Sequence, residues 1–251
     1  MTRRAVPAWK RWTLALLGLV AGGASAVPPQ PVDPPPLPAV EGQCVVLLHG
    51  LGRTHRSLAR LEAALRQAGY ATANIDYPSQ SQTIEASARE AVPRGVRECR
   101  QAGARTIHFV THARIDGLGR VVMLGPPNQG SEVADALVGT ALYDHFNGPA
   151  GAQLVTGADG IAARLGPVDF PLGVIAGNEA TAIDSLLATR IPGENDGKVA
   201  VGRARVDGMH DFLVLPVNHT FMMVNDVVIG QTLQFLRHGA FLHEVEPLAA
   251  P

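Results

Sequence analysis

Two strand-like apolar runs, residues 107–111 and 120–124, are separated by only eight residues, 112–119. Parallel neighbours in a sheet are joined by a crossover of a dozen or more residues, usually a helix, and nearly always right-handed. Eight residues fall short of that rule, so one of three outcomes is expected. The 120–124 strand pairs elsewhere, the sheet has a gap, or the chain is a deletion product that folds poorly. A missing crossover helix is also expected to uncover one face of strands whose apolar runs call for burial on both.

The rest of the chain alternates strand and helix. Residues 44–48, Cys-Val-Val-Leu-Leu, form a continuous apolar run, which suits a strand covered on both faces. Leu58, Leu61, Leu65 and Ala68 recur at helical spacing up to Gly69. A strand at 72–75 follows, then a helix at 83–102 that Pro93 is expected to kink or divide. Further strands are expected at 172–176 and 212–217, with a weak helical pattern at 132–142 inside a loop-rich stretch. A last helix at 226–237 is capped by Asn225 or Asp226. The pattern predicts an α/β fold with an open, mostly parallel sheet and helices on both faces.

A chain of 251 residues that is 46% hydrophobic and 17% charged suits one domain with its own core. Residues 1–26 read as a signal peptide: Arg3, Arg4, Lys10 and Arg11, then an apolar run, then Ala24-Ser25-Ala26. The expectation is cleavage and export to the periplasm or medium, with no stable membrane insertion afterwards. Residues 27–40 read as a Pro-rich linker and 41–251 as the folded domain. Removing the leader takes away four of 21 basic and none of 22 acidic side chains, so 17 minus 22 leaves −5, which argues against nucleic acid as a partner. Cys44 and Cys99 pair as a disulfide if exported; the other reading is two small buried thiols.

His49-Gly50-Leu51-Gly52 follows a buried strand and precedes a helix, where glycines leave backbone N–H groups aimed into a cleft. Read alone, it is as well explained by a simple turn. Together with Asn-Ile-Asp-Tyr-Pro-Ser at 74–79, Phe-Val-Thr-His at 109–112, Gly-Pro-Pro-Asn-Gln-Gly-Ser at 125–131 and His-Thr-Phe-Met-Met at 219–223, it resembles the bacterial lipase or esterase-like α/β-hydrolases. The resemblance implies Leu51 N–H as an oxyanion donor, Asp196 as the triad acid, His219 as the base and a small-molecule or lipid ester as substrate. From the residues themselves, Asp196 is also readable as an exposed turn and His219 as a structural histidine.

The departure from that family is at 112–119, where no Gly-x-Ser-x-Gly occurs and Ala113 follows His112 directly. Nucleophile, second oxyanion donor and following helix therefore have no counterpart, and ester hydrolysis is expected to be abolished or very weak. Ser131 is the outside candidate for a displaced nucleophile, ahead of Ser79. A noncatalytic lipid- or partner-binding protein is the rival reading. No metal pattern and no phosphate or dinucleotide fingerprint occurs, so neither metal nor cofactor is expected.

Overall fold

The computed structural model describes residues 40–111, 119–182 and 184–243. Six strands form one sheet: β1 Gln43–Leu48, β2 Ala71–Ile75, β3 Thr106–Thr111, β4 Val121–Leu124, β5 Leu172–Gly177 and β6 Asp211–Leu215. Their order is β2-β1-β3-β4-β5-β6, and every pair is parallel. The helices are α1 Ala59–Gln67, α2 Ile84–Gln101, α3 Glu132–Leu137, α4 Ala141–Ala152, α5 Ile161–Leu165, α6 Ser185–Ala188 and α7 Asp226–His238.

Side chains of a strand alternate between faces, and here the alternation divides two apolar layers. Val45 and Leu47 of β1 join Leu61 and Leu65 of α1 and Phe235 and Leu236 of α7 on one side. Cys44, Val46 and Leu48 join Ala91 and Cys99 of α2 on the other. Burial on two sides is why β1 reads as an unbroken apolar run. Cys44 and Cys99 are disulfide-bonded, Cα to Cα 5.6 Å, tying β1 to the end of α2.

Two of the outcomes expected of the 112–119 interval, pairing of the 120–124 strand elsewhere and a gap in the sheet, are corrected. β3 and β4 are direct parallel neighbours, with Phe109 beside Val121 and Thr111 beside Met123. Gly119 N–H already donates to Ile107 O at 3.0 Å, so the chain needs only to return about four strand rises, roughly 13 Å. Eight extended residues reach up to roughly 26 Å. The dozen-residue rule reflects the length of a helical crossover, not the minimum reach. The uncovered face does not appear either: all four residues of β4 are buried. Phe109, Val121 and Met123 share their cluster with Val168, Phe170, Val199 and Ala204, which cover that side.

Two local expectations also change. Pro93 does not divide α2; it is exposed, so the carbonyl it deprives of a donor can turn to water. The 132–142 pattern is two helices, α3 and α4, separated at Gly139, whose φ of 83° suits glycine. Asn225 caps α7, its side chain accepting from the Val227 and Val228 N–H groups.

His108 on β3 is a core histidine. Its Nδ1 accepts from Arg120 N–H at 3.0 Å and its Nε2 pairs with Gln43 Oε1 at 2.9 Å. Burial, helped by the nearby Arg120 charge, holds its pKa down to about 4.

Two outcomes test this packing. The disulfide closes a sequence separation of 55 residues, so replacing both cysteines by alanine should cost about 4 kcal/mol in a denaturant titration. His108 is neutral in the fold but protonates below its ordinary value in the unfolded chain, so stability is full above pH 6.5 and falls as pH drops toward 4. The loss attributable to it is about 3 kcal/mol. His108→Gln should flatten the fall in melting temperature between pH 6.5 and 4, leaving the same-signed contribution of buried His49.

Candidate active site

Because all strands run the same way, the turns that leave their carboxyl ends meet at one edge of the sheet. The chain winds outward to β2 on one side of β1 and to β3 on the other, and a crevice opens at this switch. A cavity of about 320 Å³ lies there, lined by the turn after β1, the ends of β3 and β4, α2, the 131–154 segment and His219.

His219 lines it, and Asp196 meets His219 from behind. Asp196 is 1% exposed, in contrast to the exposed Glu194 of the same turn. One carboxylate oxygen, Oδ1, accepts from the N–H groups of Lys198 and Val199 at 3.0 and 2.8 Å; the other, Oδ2, pairs with His219 Nδ1 at 2.8 Å. His219 N–H also donates to Asp196 O at 3.0 Å, so ring and backbone are held together. A buried carboxylate supplied with three donors stabilises the imidazolium that forms when the histidine takes a proton. Gly125, at the end of β4 with φ 55°, makes the pairing possible: a Cβ there would sit 3.1 Å from both Asp196 Oδ2 and His219 Nδ1.

Comparison with solved structures gives the mature form of a Bacillus licheniformis lipase at TM-score 0.62 and 18% identity, covering 83% of this chain and 96% of that one. A Legionella pneumophila phospholipase follows at TM-score 0.58 and 15% identity, covering 79% and 60%. A metagenomic carboxyl esterase matches at 0.51 and 18%, covering 78% and 70%. The fold is that of the α/β-hydrolases. No protein-family model matches the chain, and no curated protein matches it.

In this fold the turn after β1 is fixed by side-chain contacts. The His49 ring is buried, stacks on Tyr77 at 4.1 Å, and pairs through Nδ1 with Gly50 O at 3.0 Å. Its Nε2 accepts from Tyr77 N–H at 3.3 Å, and Tyr77 OH donates back to His49 O. Burial lowers the His49 pKa, which favours the neutral ring this bonding requires. Gly52 N–H donates to Ser79 Oγ at 3.2 Å. The neighbouring Leu51 N–H lines the cavity with no hydrogen-bond partner among the described residues.

Ser131 borders the same cavity as His219, but its hydroxyl donates to Lys198 O at 2.8 Å. It thereby ties the loop after β4 to the turn that carries Asp196. Neighbours reinforce the tie: Asn128 Nδ2 donates to Ala204 O, Gln129 N–H to Arg203 O, and Arg203 Nε to Glu132 Oε1 at 2.8 Å. The missing serine elbow falls in 112–118, outside the described residues. Sequence reasoning did not single out Gly125, Arg53 or Lys198. A glycine closing a buried strand was the only signal for the first, and nothing in spacing marks the other two as cavity residues.

The two cavity-side serines should behave oppositely. Ser131→Ala leaves the Lys198 carbonyl without its donor and should cost about 1–2 kcal/mol in urea unfolding. Ser87→Ala removes a buried hydroxyl that has no partner and should be neutral or slightly stabilising.

Proposed function

We propose that this chain is a lipase- or esterase-like hydrolase in architecture that retains an acyl-binding cavity and an acid–base pair, with ester hydrolysis abolished or strongly impaired. One observation carries the reading. Residues 112–118, His-Ala-Arg-Ile-Asp-Gly-Leu, occupy the connection after β3 and contain no hydroxyl or thiol. In this fold the attacking serine belongs to that connection, on a sharp turn above the sheet. Asp196 as acid, His219 as base and Leu51 N–H as oxyanion donor then retain at most a small part of the rate enhancement, because members of such a triad act as a unit. Lipase, phospholipase and carboxyl-esterase neighbours support a carboxylic ester or its acyl product as the ligand class.

Export fits the same reading. The leader-like residues 1–26 and a disulfide between Cys44 and Cys99 both suit an oxidising compartment. No helix among the described residues is long and apolar enough to cross a membrane.

A second reading is kept alive by one fact, that Ser131 and His219 line one cavity. Under it Ser131 is a displaced nucleophile that must break its bond to Lys198 O before attack. A fluorophosphonate serine probe and a short p-nitrophenyl ester separate the two. No stoichiometric labelling and at most residual turnover are expected. Full labelling with turnover that Ser131→Ala abolishes would establish the second reading instead.

A further inference from the structure

Apart from Ser87, the cavity is apolar along α2, where Ile84, Ala88, Ala91 and Val92 line it, yet its lining includes two cationic residues, Arg53 and Lys198. Among the described residues no aspartate or glutamate lines it. Among the described residues neither cation is in an ion pair, although both are only half-exposed. The Arg53 side chain makes one hydrogen bond among the described residues, from Nη2 to Thr220 O at 3.1 Å, and four of its five N–H donors remain for a ligand. Lys198 spends only its backbone groups, its N–H on Asp196 Oδ1 and its carbonyl on Ser131.

Both cations are thus anchored beside the dyad, one through the residue after His219 and one two residues after Asp196. The Asp196 carboxylate pairs with neither of them: it is buried, and its oxygens are taken up by Lys198 N–H, Val199 N–H and His219. Leu51 N–H adds an unused donor on the turn that carries Arg53. Two cations against apolar walls, with no carboxylate facing them among the described residues, are poorly matched by a neutral ester and well matched by an anion with a hydrocarbon tail.

From this we infer that the site binds a single-chain amphiphile with an anionic head, a fatty carboxylate or an alkyl phosphate, the head held by Arg53, Lys198 and Leu51 N–H and the chain lying along α2. The inference rests on the proposed acyl-binding role of the cavity, and it needs no covalent step.

Titration calorimetry of the full chain with decanoate, decyl phosphate and the neutral methyl decanoate tests it. At least one anion should bind roughly tenfold or more tightly than the neutral ester, with affinity falling as salt is raised. Arg53→Gln and Lys198→Gln should each weaken the anion by roughly tenfold and leave the neutral ester little changed. Equal affinity for anions and methyl decanoate would overturn the anionic-head inference while leaving the acyl site standing. Binding of none of the three would remove both. The ligand comparison needs only the natural chain, so it decides the matter even if a variant folds poorly; turnover of the ester, measured alongside, bears only on the loss of hydrolysis.

Discussion

A carboxylate that is 1% exposed must be supplied with hydrogen bonds or lose its charge, and the carboxyl edge of this sheet is organised around meeting that demand for Asp196. Two donors come from its own turn, Lys198 and Val199, and the third from His219 after β6. That turn is in turn fixed to the loop after β4 by Ser131 and by the Arg203–Glu132 pair. Glycines at the ends of β4 and β5 give it space: a Cβ on Gly177 would meet Asp196 Cβ at 2.9 Å, as one on Gly125 would meet the carboxylate itself. Three separate loops therefore share one electrostatic requirement.

The parallel sheet makes that convergence possible. With every strand running the same way, the turn after β1 and the loops after β4, β5 and β6 emerge on one side, and α2 and the 131–154 segment wall the space between them. The short β3–β4 connection is accommodated because coverage of the second face does not depend on a crossover helix. Val168, Phe170, Val199 and Ala204 complete that layer, and two of these lie close in sequence to Asp196. The residues that close the core are thus continuous with those that build the site.

Chemically the edge is lopsided. It holds the buried Asp196–His219 pair, and residues 112–118 after β3 contain no hydroxyl or thiol. The charged side chains among its described lining residues, Arg53 and Lys198, are both cationic and are set beside apolar walls. Under the proposed function such an edge carries out little acyl transfer and serves as a recognition site.

Much of this was legible in the residues themselves. The unbroken apolar run at 44–48 specified a strand buried on both faces, 107–111 read as a further strand, helical spacing and a capping asparagine marked α1 and α7, and the alternation of elements implied a parallel sheet, because these signals are local and depend on side-chain periodicity. Asp196, His219 and Leu51 were reached through likeness in short motifs, while the residues alone favoured an exposed turn at Asp196 and left a structural histidine as the rival reading at His219. Only the tertiary structure decided that β4 pairs with β3 despite its short connection, that loops far apart in sequence cover the face a helix was expected to cover, that Asp196 is buried rather than exposed, and that Arg53 and Lys198 share a cavity. Each of these is a contact between residues distant along the chain, and periodicity or spacing carries no record of which distant segments will meet.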